Sequence, residues 1–114
     1  MSQFSIVIIC RNEAGAIAKT LSSLQGLTDD IIVYDNGSTD GTQDLVRQFK
    51  VHLHEGSWEG FGKTKTKANQ LAKYDWILCL DADEAADEEL RQSLLQWNPG
   101  NDAIVYDILF KNFL

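Results

Sequence analysis

The sequence predicts an α/β fold, a mostly parallel sheet with helices on both faces, in a single domain over residues 1–114. Short apolar runs alternate four times with segments of helical periodicity. The first run, residues 4–10, is β-branched and nearly continuous, as expected of a strand that is covered on both faces. A length of 114 residues suits one domain with one hydrophobic core.

Five apolar runs are the predicted strands. The second is followed by NGSTDGT, which is turn chemistry, and the third by GSWEGFG, a loop punctuated by glycine. The predicted strands cover residues 4–10, 30–35, 50–55, 75–81 and 103–110.

Four segments between these strands are predicted helices. In the first, Ile17, Leu21 and Leu24 recur at helical spacing, with Asn12 as a candidate cap and Gly26 as a candidate end. The fourth begins with acidic residues, which favour the dipole at the amino terminus of a helix. The predicted helices cover residues 12–26, 42–49, 63–74 and 87–97.

The composition limits the partners and the compartment. The chain has 17 acidic and 10 basic side chains, and this balance argues against a nucleic-acid partner because phosphate backbones need compensating Lys and Arg. Cys10 and Cys79 lie within apolar runs and are expected to be small buried residues in a reducing compartment. The apolar stretch near the amino terminus is too short for a bilayer and lacks the flanks of a signal peptide, so we expect a cytoplasmic protein.

Polar segments follow three of the predicted strands. They are CRNE at residues 10–13, DNGSTD at residues 35–40 and DADE at residues 81–84. Ligands of mostly parallel sheets bind beyond the carboxyl ends of the strands, so these segments predict one binding site at that edge.

Asp81 and Asp83 are the first candidates. If the backbone turns after the strand, the two side chains diverge, so that one can face a ligand and the other a cation. Neighbouring carboxylates repel each other unless a cation lies among them. Mg²⁺ or Mn²⁺ commonly takes one or two carboxylates together with phosphate oxygens, which predicts a metal that bridges the protein to a diphosphate. The alternative is that Asp83 only caps the next helix.

Four further residues are weaker candidates, each with a structural alternative. Asp35 ends a predicted strand, where it could accept a hydrogen bond from an imide N–H such as that of uracil, or simply belong to a turn. Lys63 follows the glycine loop and could meet an anion at a helix start, or lie on a solvated basic face. Arg11 could meet phosphate or solvent, and Glu13 is by default a first-turn acid.

Taken in order, these segments resemble the amino-terminal half of the inverting family 2 glycosyltransferases, which have the GT-A nucleotide-binding fold. The resemblance rests on SIVIICRNEAGAIAKTLSSL, IIVYDNGSTDGT and WILCLDADE, and it covers about the first 90 residues. The segment GFGKTKTKANQLAKYDWILCLDADE looks especially like the bacterial lipopolysaccharide-core transferases of that family.

The resemblance implies a nucleotide-sugar donor, commonly a UDP-sugar, held with a divalent cation, Mn²⁺ or Mg²⁺. Glu13 and Asp35 match positions that line the nucleoside, with Asp35 toward the base. Asp81 matches the first acid of the D-x-D motif, near the ribose and metal, and Asp83 the second, which binds the metal and diphosphate. The contacts of Lys63 with the diphosphate and of Arg11 with phosphate are expected from charge.

In that family the acceptor site and the general base follow the D-x-D segment by many residues. The sequence identifies no such base, so we expect a donor-binding half-domain that is inactive alone, with any peripheral membrane contact supplied by a missing carboxyl-terminal part. The apolar tail ILFKNFL suggests a homodimer formed by strand exchange.

Two other functions stay open at this point. A receiver-like signalling domain would also alternate strands and helices and bind Mg²⁺, with Asp35 as its phosphoacceptor and Lys111 after the fifth strand. A non-catalytic module that binds a nucleotide sugar would share every feature of the donor-binding half.

Overall fold

A five-stranded sheet forms the centre of the molecule, with the strand order β3-β2-β1-β4-β5. The structure, a computed structural model, describes residues 4–96 and the backbone of residues 109–111. Four strands are parallel: β1 (Ser5–Cys10), β2 (Ile31–Asp35), β3 (His52–Glu55) and β4 (Trp76–Asp81). The fifth, β5 (Leu109–Lys111), pairs antiparallel with β4.

Four helices connect the strands or follow them. They are α1 (Ile17–Leu24), α2 (Thr42–Val46), α3 (Phe61–Gln70) and α4 (Glu88–Gln96). The predicted α/β class and its mostly parallel sheet are therefore confirmed. The predicted strand over residues 103–110 lies outside the described residues except at its end, which belongs to β5.

The first helix begins later than its sequence predicts. Asn12 does not cap it, because Asn12 has a φ of 54° and its side chain bonds another loop. The helix begins at Ile17 with no side-chain cap. Its predicted end is confirmed, since Gly26 follows the last turn with a φ of 85°.

The sheet buries apolar side chains on both of its faces, as the near-continuous apolar strands predict. On one face, Ile6 and Ile8 of β1 pack with Ile17 and Leu21 of α1. On the other, alternate residues of the strands pack against Ala68 of α3; they are Val7, Ile32, Tyr34 and Ile77. This alternation fixes which side chains reach each face at the end of a strand.

The strand order also excludes one of the two other functions left open by the sequence. Strands β1, β2 and β3 follow one another outward, and the chain then crosses back to place β4 on the other side of β1. Receiver-like domains have the flavodoxin-like order 2-1-3-4-5. The receiver-like alternative is therefore wrong, and the crossing point between β1 and β4 is the expected ligand crevice.

Within residues 4–96, each helix is too short or too polar to pass through a lipid bilayer.

Candidate functional site

Three of the predicted polar segments meet at one edge of the sheet. Cys10 at the end of β1 pairs with Asp35 at the end of β2, and Ile9 of β1 pairs with Asp81 at the end of β4. The parallel register thus brings Asp35 and Asp81 to the same edge, on either side of β1. The prediction that these segments form one edge is confirmed.

The chain turns sharply after β4. The backbone N–H of Glu84 donates to the carbonyl of Asp81 at 3.0 Å, and the side chain of Glu84 accepts from the N–H of Asp81 at 2.9 Å. Ala82 is buried, and its carbonyl accepts a 2.7 Å hydrogen bond from Thr20 of α1. The turn is therefore fixed to α1 through its middle residue.

The side chains of Asp81 and Asp83 are exposed on either side of buried Ala82. Within the described part of the chain, neither carboxylate forms a hydrogen bond or an ion pair. The capping alternative for Asp83 is wrong, because Asp87 accepts the 2.8 Å bond from the N–H of Leu90 at the start of α4. Both carboxylates are consequently available to a ligand.

Asp35 has the opposite environment. Its side chain is fully buried and accepts hydrogen bonds from the backbone N–H groups of Gly37 and Ser38, at 3.2 and 2.9 Å. Further donors are the Ser38 hydroxyl at 2.5 Å, Gln43 Nε2 at 2.6 Å and Cys10 Sγ at 3.4 Å. The carboxylate therefore holds the loop after β2 in one conformation.

Burial and hydrogen bonding act on these groups in opposite ways. Burial alone would raise the pKa of Asp35, but the bonds from Ser38 and Gln43 outweigh it, so the pKa lies below its ordinary value. Burial and the bond to Asp35 raise the pKa of Cys10, which stays a thiol. A charged Asp35 beside a neutral Cys10 is thus the stable state at neutral pH.

Four hydrogen bonds join the loop after β1 to the loop after β2 and to the first residue of α2. They fix the backbone around Arg11 and Glu13, which follow β1 at this edge of the sheet. The donors and acceptors are Asn12 N–H to Ser38 Oγ at 2.8 Å, Thr39 N–H to Asn12 Oδ1 at 2.8 Å, Glu13 N–H to Thr42 Oγ1 at 2.9 Å and Ala14 N–H to Asp40 Oδ2 at 3.1 Å.

Cavities open along this edge of the sheet. One of about 430 Å³ lies over β1 and β4, where its lining includes Ile9 and Asp81. Another of about 290 Å³ lies at the ends of β1 and β2, where it is lined by Cys10, Arg11 and Asn36. The two share Ile9 and the indole of Trp58, so they form adjoining parts of one crevice.

The lysines of α3 divide between two surfaces. Lys63 and Lys67 line a separate cavity of about 510 Å³, so they share one face of α3. Lys65, which the sequence does not single out, lines the cavity that contains Asp81. Two residues advance an α-helix by about 200°, so Lys65 lies on the side of α3 away from Lys63.

Sequence reasoning also missed Trp58 and Asn36. Each stands in a loop directly after a strand, and neither residue type by itself marks a ligand site. The signal that could have indicated Trp58 is a large aromatic residue in a loop flanked by Gly56 and Gly60, where it has no adjacent apolar run to join.

The donor set at the edge fits a hard cation only in part. Within the described residues, no group of three His, Cys, Asp or Glu side chains lies close enough to hold a metal ion. Asp81 and Asp83 offer unengaged carboxylate oxygens, which are the ligands that Mg²⁺ and Mn²⁺ prefer. A cation here would need oxygens from water or from a ligand to complete its coordination.

Comparison with known proteins identifies the family to which this chain belongs. The sequence matches the family described as glycosyl transferase family 2 over residues 5–113, nearly its whole length. The chain belongs to glycosyl transferase family 2. The resemblance found in the three strand-end segments is thereby confirmed.

A related family 2 sequence has a stated role. The chain is 33% identical over 106 residues to the lipopolysaccharide core biosynthesis glycosyltransferase LpsC of Rhizobium meliloti, covering 89% of this chain and 39% of LpsC. The chain spans about a third of the length of the curated relatives that it matches.

Solved structures share the fold. TarS of S. aureus in complex with UDP has 26% identity and a TM-score of 0.66, over 80% of this chain and 30% of TarS. Glucosyl-3-phosphoglycerate synthase of Mycobacterium tuberculosis, in complex with Mn²⁺, UDP and glucosyl-3-phosphoglycerate, has 22% identity and a TM-score of 0.63, over 74% of this chain and 36% of that enzyme. The sheet of this chain is therefore the GT-A sheet of family 2 enzymes.

Proposed function

We propose that this chain binds the nucleotide-sugar donor of an inverting glycosyltransferase, a UDP-sugar, at the carboxyl edge of its sheet. The observation that carries the proposal is the pair of exposed, unengaged carboxylates of Asp81 and Asp83 at the crossing point between β1 and β4. Such a pair beside a crevice of this size suits a nucleoside diphosphate joined through a cation.

Asp83 would hold the divalent cation, Mn²⁺ or Mg²⁺, and Asp81 would stand near the ribose and the metal. When bound, the cation would neutralise the diphosphate and stabilise it as a leaving group. The Mn²⁺ and UDP in the structure of the mycobacterial synthase support this choice of ligand. The fixed turn over residues 81–84 keeps both carboxylates at the edge before any ligand arrives.

The nucleoside would lie across the loops after β1 and β2. Arg11 lines the smaller cavity and would meet phosphate or ribose oxygens, while Glu13 stands in the same loop. Asp35 already accepts five hydrogen bonds, so a base N–H would have to replace one of its donors. We propose that its main task is to hold residues 36–40 in place for the nucleoside.

Lys63 remains a proposed diphosphate contact, but Lys65 is the stronger candidate. Its side chain lines the separate cavity on α3, whereas Lys65 lines the cavity with Asp81. Lys65 is therefore better placed than Lys63 to bring a positively charged side chain to a diphosphate at the Asp81 end of the crevice.

We propose transfer of the sugar only for a protein that is longer than this chain. LpsC supports a role in lipopolysaccharide or another cell-surface glycan. Because this chain spans about a third of its relatives' length, we propose that it binds the donor without transferring the sugar. Mixing the chain with a UDP-sugar and Mn²⁺ should then release no UDP above background.

Calorimetric titration with UDP, with and without Mn²⁺, tests the proposal directly. We expect the Mn²⁺ titration to show tighter binding in the unaltered chain, and Asp83→Asn to remove most of that difference. The asparagine keeps the size of the side chain and removes the charge, so its free energy of unfolding should stay close to that of the unaltered chain.

Glu89→Gln is the matched control. It removes one charge from the same acidic stretch, at an exposed position in the first turn of α4. Its UDP affinity should equal that of the unaltered chain. Absence of UDP binding in Mn²⁺, or binding that Asp83→Asn leaves intact, would contradict the proposal.

A further inference from the structure

One large aromatic side chain in the crevice has no role in the proposed donor site. Trp58, in the loop between β3 and α3, is 54% exposed, although indole is among the side chains that gain most from burial. It lines both the cavity with Cys10, Arg11 and Asn36 and the cavity with Asp81. Its ring thus stands between the nucleoside end and the acidic end of the crevice.

The loop holds Trp58 at a defined position. The N–H of Gly56 donates to the carbonyl of Asp35 at 3.0 Å, and Asn36 Nδ2 donates to the carbonyl of Gly56 at 3.1 Å. A Cβ at Gly56 would overlap the hydroxyl of Tyr34, so only glycine allows this close approach. The start of the loop is therefore joined to the end of β2.

The other end of the loop is also anchored. The N–H of Glu59 donates to Thr64 Oγ1 at 2.9 Å, and Thr64 is completely buried in α3. Glu59 also forms an ion pair with Lys67 of the same helix. With bonds on both sides of it, the indole is presented to the crevice rather than left on a free loop.

An exposed and fixed aromatic face in a crevice suits a flat ligand group. A nucleobase stacks on an aromatic side chain without needing particular hydrogen bonds. The smaller cavity, which Trp58 lines together with Asn36 and the end of β1, is lined by neither Asp81 nor Asp83. A base would lie there if the diphosphate lies beside Asp81 and Asp83.

We propose that Trp58 stacks on the base of the nucleotide donor and sets much of the affinity of the site for the nucleoside. The inference depends on the proposed function, because it needs a nucleotide in the crevice. It adds to the site a side chain from the β3–α3 loop, which is hydrogen-bonded to the loop after β2.

Calorimetry with UDP and with inorganic pyrophosphate, both in Mn²⁺, separates the base from the diphosphate. Trp58→Ala should weaken UDP binding about ten-fold or more and leave pyrophosphate binding unchanged. Trp58→Phe, which keeps an aromatic face, should retain most of the UDP affinity. Since Trp58 is exposed, all variants should unfold thermally at the temperature of the unaltered chain.

Phe61→Ala is the matched control, because Phe61 is also an exposed aromatic residue, at 72%, but lines only the larger of the two cavities. It should change UDP affinity much less than Trp58→Ala. Equal losses of UDP affinity in the two variants would overturn the inference, because any exposed aromatic side chain of the crevice would then contribute as much as Trp58.

The remaining outcomes are distinct. If the unaltered chain binds no UDP, the proposed function fails and the inference fails with it. If the unaltered chain binds UDP and Trp58→Ala binds it equally well, the stacking inference alone is overturned. If Trp58→Ala weakens a UDP-sugar but not UDP, the indole contacts the sugar, and the assignment to the base is wrong.

Discussion

Two buried aspartates stand at opposite ends of β2, Asp30 just before its first residue and Asp35 at its last. They are 3% and 0% exposed. Asp30 accepts from Ser5 Oγ at 2.5 Å and from the N–H of Lys73 at 2.7 Å, and His52 Nε2 lies 3.6 Å away. Its partners thus come from β1, from β3 and from the connection between α3 and β4.

Asp35 draws its partners mainly from the turn that follows it. Four of its five hydrogen bonds come from Gly37, Ser38 and Gln43, all within the loop and helix after β2. A buried carboxylate that joins distant segments contributes to the fold, whereas one that joins a local loop shapes the surface of that loop. The Asp35 end of the strand leads directly into Asn36, which lines the smaller cavity.

The largest expected effect is on stability at the Asp30 end. Asp30→Ala leaves the buried Ser5 hydroxyl and the partly buried Lys73 N–H without their acceptor, which should cost about 3 kcal/mol of unfolding free energy. Urea denaturation measures the loss. Asp29→Ala is the matched control, since Asp29 bonds Lys73 and Tyr74 at the surface and should matter far less. Similar losses in both variants would contradict the comparison.

The Asp35 end should combine a stability loss with a binding loss. Asp35→Asn replaces one accepting oxygen by an NH₂ group that faces other donors, so we expect a loss of about 2 kcal/mol and weaker UDP binding. Asp30→Ala, by contrast, should leave the UDP affinity of the folded protein unchanged. Urea denaturation and calorimetry on both variants measure the two losses. If Asp35→Asn binds UDP as tightly as the unaltered chain, Asp35 does not hold residues 36–40 in place for the nucleoside.

A smaller effect is expected at Asn12, which joins the two loops with a φ of 54°. Asn12→Gly removes the bond to Thr39 but keeps the left-handed backbone, while Asn12→Ala also adds strain. The alanine variant should therefore be less stable than the glycine variant by about 1 kcal/mol. Thermal unfolding of the pair measures this, and equal stability would show that the backbone there relaxes.

The smallest expected effect is a pH dependence of folding stability that arises from the ionisation of Asp35. Its pKa in the folded protein is lower than in the unfolded chain, so its contribution is present above the ordinary aspartate pKa of about 3.9 and is lost as the pH falls through the folded value. The stability difference between the unaltered chain and Asp35→Asn should shrink below about pH 4. Urea midpoints at pH 7 and pH 3 check this, and a difference that does not change would be the contrary result.

Much of the fold could be predicted because it depends on local periodicity. The apolar runs predict β1 to β4 to within a residue or two, and the strand-end position of Asp81 and Asp83 follows from the same pattern. The site was less predictable. The sequence favours Lys63, but the orientation of α3 on the sheet directs Lys65 to the cavity with Asp81.

The sequence by itself determined the alternation of strands and helices, the acidic turn after β4 and the family of the chain. Each of these depends on residues that lie close together in the sequence. The tertiary structure alone decided that Asp35 is enclosed by five donors, that Asn12 bonds the next loop instead of capping α1, and that Trp58 stands in the crevice. These outcomes depend on the register between strands and on how loops far apart in sequence meet. Periodicity within one segment carries no information about either.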